Sequence, residues 1–404
     1  MRALVLLLLS LTVGMALTLE QAVEIALKNH LSAKLSLLEL KKAEESIRRA
    51  RAGILPQLSF FYGYTRLSEE LAFGFTPKNR HSFNLELEQA VFDRAVLESL
   101  KLAREQKELQ ELVRRDTLLE VEFQTKQLFY ALLYKREVLN LLQENLRYWE
   151  ENLRRTEGRF QAGTAPKVEL LRARAQVETA KAQVESARAD YQKSLQDFGV
   201  FLQIDGVPEL QGRLTYQPPP KVEETLLEKN STLRVVRKGL EVAKRAVEVQ
   251  RAQHYPSLDV YLSYQGNTAR AGGKTEMVDG YAFGARLSYK VFDGFAREAS
   301  VAQARLEVLK QAEQLKDSER RVKAEFQKTL EDIRSLQVQI GALELSLQSA
   351  KEALRLSTER YRFGVATQLE VLEAVSNYTS LLQSYYFALL QYQIALARLE
   401  RLTR

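Results

Sequence analysis

The sequence predicts a mainly α-helical chain with a small β component, laid out as two copies of one unit. Three observations carry this. The 404 residues hold only 18 Gly and 8 Pro against 27% charged residues, a composition of long helices. The tripeptide Val91-Phe92-Asp93 returns as Val291-Phe292-Asp293, 200 residues on, and Pro56 and Leu58 return as Pro256 and Leu258. Leu132, Leu139, Leu146, Leu153 and Phe160, each seven apart, have partners 201 residues later in Ile333, Ile340, Leu347, Leu354 and Tyr361. A seven-residue apolar stripe keeps facing a neighbour only if helices supercoil, so both copies are expected to pack as coiled coils.

Taken in order, residues 1–16 read as a signal peptide. Arg2 is its positive start, Ala3 to Leu11 its apolar run, and Gly14-Met15-Ala16 a small-x-small cleavage site. That run is too short to span a bilayer as a helix, and no later stretch approaches the ~20 apolar residues that a spanning helix needs. The mature chain is therefore expected to begin near Leu17, to work outside the cytoplasm, and to meet any membrane with strands. The first repeat, 17–205, reads as a helix from about Leu19 to Leu55, strands at 57–67 and 81–92, and a long helix from Asp93 to about Gln161. A tip turn at 159–166 follows, and Pro166 opens a return helix to about Gln203. At 1.5 Å per residue the long helix is on the order of 100 Å. A Pro-rich linker, 206–221, contains Pro208 and Pro218-Pro219-Pro220. The second repeat, 222–404, has strands at 257–266 and 280–291 and a tip turn at 360–367.

The strands alternate. Leu58, Phe60, Tyr62 and Tyr64 share one face, as do Phe83, Leu85 and Leu87, then Leu258, Val260, Leu262 and Tyr264, then Tyr281, Phe283, Ala285, Leu287 and Tyr289. The opposite faces carry Ser, Asn, Glu, Asp, Arg and Lys. A soluble half-buried sheet would alternate too. Aromatic richness, a strand length near the ~10 residues that cross a bilayer at a tilt, and charges on the other face favour a membrane barrel with a wet interior. On this reading Phe60, Tyr62, Phe83, Leu85, Leu262, Phe283 and Leu287 face lipid. Four strands cannot close a barrel alone, and an open edge in lipid leaves backbone groups unsatisfied. Several chains must therefore share one barrel. Two would give eight strands and an interior filled by side chains; three would give twelve and a passage.

Composition also excludes. No cysteine is present, which removes disulfides, thiolate metal sites, a cysteine nucleophile and lipidation on cysteine. The net charge of +7 comes from Lys and Arg interleaved with Glu along helical stretches, a solvated face rather than a nucleic-acid surface. His30, His81 and His254 lie too far apart for metal-ligand spacing. Gly273-Lys274-Thr275 lacks the leading glycine of a phosphate loop, since Thr268 stands there. With no nucleophile–base pair and no implied cofactor, an enzyme is not expected.

The segment LTLEQAVEIALKN from Leu17, the strand-then-VFD entry to each long helix, and the paired turns RFQAGTA from Arg159 and RYRFGVA from Arg360 resemble the TolC-type outer-membrane efflux proteins. The likeness covers essentially the whole mature chain. It implies a homotrimer with a twelve-strand barrel in outer-membrane lipid and a twelve-helix tunnel through the periplasm. It further implies a periplasmic adaptor and an inner-membrane pump or ABC transporter as partners, in an efflux or type I secretion system. The alternative from another class is a periplasmic structural coiled coil resembling an adaptor hairpin, which would not need two matched pairs of aromatic strands.

The resemblance also assigns roles. The tip turns become the docking surface for the adaptor, with Arg159, Phe160, Gly163, Thr164, Phe363, Gly364 and Val365 as candidates. The two glycines are fully explained as helix C-terminal turns needing positive φ. Glu370 and Glu373, three apart on one helical face, would gather under threefold symmetry into an acidic entrance ring that favours cations. An ordinary acidic helix start is the competing account. Tyr361 and Glu169 match positions that hold the tip closed. The basic partner often found there is replaced by Ala366, leaving Arg172, Arg360 or Arg362 as substitutes.

Overall fold

The computed structural model describes residues 17–73, 75–220, 224–271 and 274–404, so the expected signal peptide and the last linker residue, Lys221, lie outside the described residues. The elements run α1 (Leu19–Asn29), α2 (Leu31–Ala52), β1 (Gln57–Arg66), β2 (Asn79–Phe92), α3 (Arg94–Gln161) and α4 (Lys167–Leu202). A 3₁₀ turn (Glu224–Lys229) leads into α5 (Ser231–Ala252), β3 (Ser257–Ala271), β4 (Lys274–Ser288), α6 (Ala296–Arg362) and α7 (Gln368–Thr403). The duplicated pattern is plain in the lengths: α3 and α6 have 68 and 67 residues, and α4 and α7 have 36 each. No described helix is long and apolar enough to cross a membrane.

The chain divides into two compact units. One comprises Ser36–Arg114 and Thr232–Glu319; the rest of the described chain forms the other.

The first unit holds the sheet, antiparallel throughout in the order β1-β2-β3-β4. Two helices feed it in the same way. After α2 and α5, three successive 3₁₀-type bonds tighten the chain at residues 53–55 and 253–255, and Pro56 or Pro256 then ends the turn. Lys238 of α5 reaches both Glu105 and Glu108 of α3, and Arg245 lies 3.5 Å from Glu98, so α5 is tied to α3 by charge.

Strand ends differ from expectation. The pair expected at 57–67 and 81–92 runs 57–66 and 79–92, while that expected at 257–266 and 280–291 runs 257–271 and 274–288. The added pairing, Asn267 opposite Val278 out to Ala271 opposite Lys274, lies in polar, Gly-flanked sequence that reads as loop. Ladder bonds form through the backbone and do not need an apolar face. At the other end β4 stops at Ser288, and Gly294 and Phe295 take φ of 70° and 67° before α6 begins. The repeated Val-Phe-Asp therefore does two jobs. In the first copy Phe92 ends β2 beyond a bulge, and Asp93 caps α3 by accepting from the Ala95 and Val96 N–H groups at 2.8 and 3.2 Å. In the second, Asp293 pairs with Arg297 at 2.8 Å.

The second unit is helical. Its seam follows the predicted heptads: Leu132, Leu139, Ile333 and Ile340 are buried, while Leu146, Leu153, Leu354 and Tyr361 are half-buried and Phe160 is exposed. On α4, Ala173, Val177, Ala180 and Val184 are buried at alternating steps of four and three, small residues that let neighbouring helices approach closely. The helix expected from Leu19 to Leu55 is broken at His30, whose extended backbone (ψ 139°) ends α1 while its Nδ1 accepts from the Ser32 N–H at 3.3 Å. Its ring lies 4.5 Å from that of Phe201. The Pro-rich segment is strapped down rather than loose. Arg136 donates to the Leu210 carbonyl at 2.8 Å, Tyr392 and Gln393 donate to the Gln217 and Thr215 carbonyls at 2.7 Å each, and Tyr216 stacks on Tyr392.

Candidate functional site

The tip lies in the helical unit, where α3 turns into α4 and α6 into α7. Both turns close by the same bonds. Gly163 and Gly364 each adopt φ of 74°, with nothing within 4 Å of where a Cβ would stand, so backbone conformation and not space calls for glycine. Thr164 N–H reaches the Arg159 carbonyl and Val365 N–H the Arg360 carbonyl, both at 2.9 Å. Gly163 and Gly364 donate to the Phe160 and Tyr361 carbonyls at 3.0 and 3.1 Å, completing a Schellman closure in each copy. Behind the turns all four helices meet in one cluster of Trp149, Val177, Ala180, Val371 and Val375, with Leu354 and Tyr361 packed against it.

The two hairpins then diverge. Thr367 caps α7 with a full capping box: its hydroxyl accepts from the Glu370 N–H at 3.3 Å, and Glu370 Oε1 accepts from the Thr367 N–H at 3.1 Å. At the matching place in the first copy stands Pro166, which makes no side-chain cap. Glu169 is thereby free of capping duty. Its carboxylate accepts from the Tyr361 hydroxyl at 3.5 Å, and Arg159 stands 3.9 Å from it with its guanidinium 5.3 Å from the Tyr361 ring centre. Arg360 sits 3.6 Å from Glu370 across the other turn, so each hairpin carries the same arginine–glutamate pair.

The structure thus brings together Tyr361, Glu169 and Arg159, and separately Thr367, Glu370 and Arg360. Arg172 and Arg362 are exposed and join neither cluster. The cation beside Glu169 is Arg159, which the sequence offered only as a surface residue; its pairing requires the hairpin to fold back, and spacing along the chain does not reveal that. Glu373 is exposed one turn beyond the capped Glu370. At the turns themselves Phe363 is 83% and Val365 69% exposed, and the Thr164 hydroxyl donates to the Arg159 carbonyl at 3.0 Å.

In the sheet unit, register sorts the side chains into two faces. Leu58 lies opposite Leu87, Phe60 opposite Leu85, Tyr62 opposite Phe83; Leu87 continues to Leu262 and Leu85 to Tyr264; Leu262 lies opposite Phe283 and Leu258 opposite Leu287. One apolar face therefore runs unbroken over four strands, and Phe60, Tyr62, Leu85, Leu262, Phe283 and Leu287 are exposed on it. On the other face Arg286 pairs with Glu88 at 3.3 Å across β2, β3 and β4 and lies 5.2 Å from the Tyr261 ring centre. The same face holds a cleft of about 490 Å³ lined by Phe61, Ser82, Asn84, Gln265 and Asn267. Three tyrosine hydroxyls on the apolar face all reach one register step toward the β1–β2 and β3–β4 turns. Tyr62 meets His81 Nδ1 at 2.7 Å, Tyr64 donates to Asn79 Oδ1 at 3.1 Å, and Tyr264 donates to Asp279. Rings kept in an apolar band with hydroxyls turned to one rim are the arrangement of a membrane–water boundary.

A sheet with one apolar and one charged face, and long helices that end in paired Schellman turns, are features that fit the class of outer-membrane export proteins. The chain belongs to the outer membrane efflux protein family, whose model matches residues 22–198 and 223–403. It is 25% identical over 401 residues to the outer membrane protein TolC of Escherichia coli, covering 91% of this chain and 80% of that one. It is 24% identical over 380 residues to the proteases secretion protein PrtF of Dickeya chrysanthemi, covering 89% and 82%. The fold superposes on the Campylobacter jejuni CmeC outer membrane channel with a TM-score of 0.81 at 18% identity, over 95% of this chain and 85% of that chain. The protein is an outer-membrane exit channel for efflux or type I secretion and not an enzyme.

Proposed function

We propose that three copies of this chain close a twelve-strand barrel in the outer membrane and a helical tunnel in the periplasm. Cargo would be handed in at the tip by a periplasmic adaptor and an inner-membrane pump or ABC transporter. The observation that carries this is the four-stranded sheet whose apolar face is continuous while β1 and β4 remain edges. In lipid those edges must pair, and a neighbouring copy supplies the complementary edge. Three copies rather than two leave the Glu88 and Arg286 face around water, where a wider barrel puts it.

Adaptor docking falls to the exposed turn residues Arg159, Phe160, Gly163, Thr164, Phe363, Gly364 and Val365. Tip closure falls to Tyr361, Glu169 and Arg159, with Arg172 and Arg362 left to contacts between copies. The entrance ring is carried chiefly by Glu373, since Glu370 is held by Thr367 and Arg360. Phe60, Tyr62, Phe83, Leu85, Leu262, Phe283 and Leu287 face lipid.

Negative-stain electron microscopy of the detergent-extracted protein tests the assembly. Hollow threefold tubes well over ~100 Å long are expected; solid rods or particles without a lumen would overturn the proposal.

A further inference from the structure

We propose that Arg66 and Arg270 form a clamp for the phosphate of an anionic lipid headgroup in the outer leaflet. The proposal rests on the lipid-facing reading of the apolar face, and its test separates the two.

Register places the pair. Arg66 lies opposite Asn79, two steps beyond Tyr62 and therefore on the same face. Ser82 lies opposite Asn267 in the last paired row of β2 and β3, and one row out the Thr268 hydroxyl accepts from the His81 N–H at 2.8 Å; Arg270, the next residue of β3 on that face, shares it with Tyr264 and Thr268. Both arginines therefore lie on the apolar face on either side of β2, Arg66 in β1 and Arg270 in β3, each one residue pair outside the row of Tyr64, His81 and Thr268. That row is where the apolar band gives way to polar groups, with Tyr64 donating outward to Asn79. A headgroup phosphate sits just outside the hydrocarbon, level with the next row.

Charge chemistry points the same way. Both guanidiniums are exposed, and among the described residues neither has an ion-pair or hydrogen-bond partner. The other cations of this rim are committed elsewhere: Lys78 pairs with Glu69 at 2.9 Å, while Arg80 and Lys274 belong to the opposite face by register. Asp279, an acid on the apolar face further inward, accepts from Tyr264. Two unpaired arginines on a lipid-side rim match the bidentate geometry of phosphate. Beside them Phe73 and Phe75 of the β1–β2 loop are exposed, and the Phe75 carbonyl accepts from the Arg270 N–H at 3.0 Å, so the loop adds apolar surface next to the clamp.

The test is native mass spectrometry of the full-length assembly in non-ionic detergent, titrated with lipid A, with its dephosphorylated form, and with inorganic phosphate. Lipid A is expected to bind the wild type, and the double variant R66Q/R270Q about thirtyfold more weakly. Dephosphorylated lipid should bind both proteins equally weakly, and inorganic phosphate should not displace lipid A. The variant R66K/R270K keeps both charges, loses the planar fork, and should bind at an intermediate level. Equal binding of lipid A by wild type and R66Q/R270Q would overturn the clamp, as would full displacement by inorganic phosphate, which would make the ligand a free ion. If the glutamine variant does not assemble, undiminished lipid A binding by the wild type in high salt overturns it instead. Phe60→Trp in vesicles with brominated acyl chains reads the face separately. Quenching with an intact clamp result supports both, quenching without a clamp effect removes only the clamp, and no quenching removes the lipid-facing reading itself.

Discussion

The Tyr361 hydroxyl donates to the Glu169 carboxylate at 3.5 Å, linking the second hairpin to the first. Duplication alone would make such links reciprocal, but the residue matching Tyr361 is Phe160, which has no hydroxyl, and the residue matching Glu169 is Glu370, which is held in a capping box. One substitution on each side turns a symmetric pair of hairpins into a donor and an acceptor.

Removing either end should loosen the tip. Tyr361→Phe and Glu169→Gln are each expected to cost about 1 kcal/mol of closed-state stability, and to raise the open fraction in single-channel recordings. Because both variants act on the Tyr361–Glu169 contact, the double variant should open no further than Glu169→Gln, which also loses the Arg159 ion pair. Additive effects would mean that the two residues act on separate partners.

The strand faces and the heptad seam were legible because side-chain direction follows a fixed period. Leu58, Phe60 and Tyr62 must share a face whatever the rest of the chain does. The break at His30 was not legible, because it depends on a ring nitrogen accepting from Ser32 and on Phe201, far along the chain, covering the ring. Nor was the strap at 206–220, whose prolines read as a linker although its carbonyls are held by Arg136, Tyr392 and Gln393. At the tip, the pairing of Tyr361 with Glu169 was anticipated from a family pattern, but Arg159 was missed as the neighbouring cation. Its reach to Glu169 depends on how sharply the hairpin folds back through Gly163.

The two candidate ring carboxylates should not behave alike. Glu370 accepts from the Thr367 backbone and faces Arg360, whereas Glu373 is exposed on the next turn. Glu373→Gln is expected to lower cation selectivity in a planar bilayer more than Glu370→Gln does. The second substitution should show itself mainly as faster hydrogen exchange in the first turn of α7, where losing a cap costs about 1 kcal/mol. Equal loss of selectivity in both variants would show that the capping box opens in the assembled channel.

The sheet makes a sharper contrast. Phe283 and Gly284 are neighbours in β4 on opposite faces. In the proposed barrel, Phe283→Arg is expected to destabilise assembly by about 2–4 kcal/mol, read as loss of the proposed trimer's band on unheated gels. Gln265→Arg, on the charged face, should leave assembly intact and alter conductance instead. Normal assembly of the Phe283 variant would reverse the assignment of faces.

Acid should weaken the α1–α2 junction. Burial holds the His30 imidazole below its ordinary value of 6.5, and its Nδ1 accepts from the Ser32 N–H, which a protonated ring cannot do. Above pH 6.5 the ring is neutral in both folded and unfolded chains, and its contribution is whole. As pH falls from 6.5 through the lower folded-state value, the unfolded chain takes up the proton first, so stability is lost across that window and not regained below it. His30→Asn keeps a side-chain acceptor that does not titrate there. The wild-type thermal midpoint should therefore drop relative to that of His30→Asn between pH 7.5 and pH 5, while the two differ by a constant amount above pH 7. Parallel curves over the whole range would show that His30 is not the group that titrates.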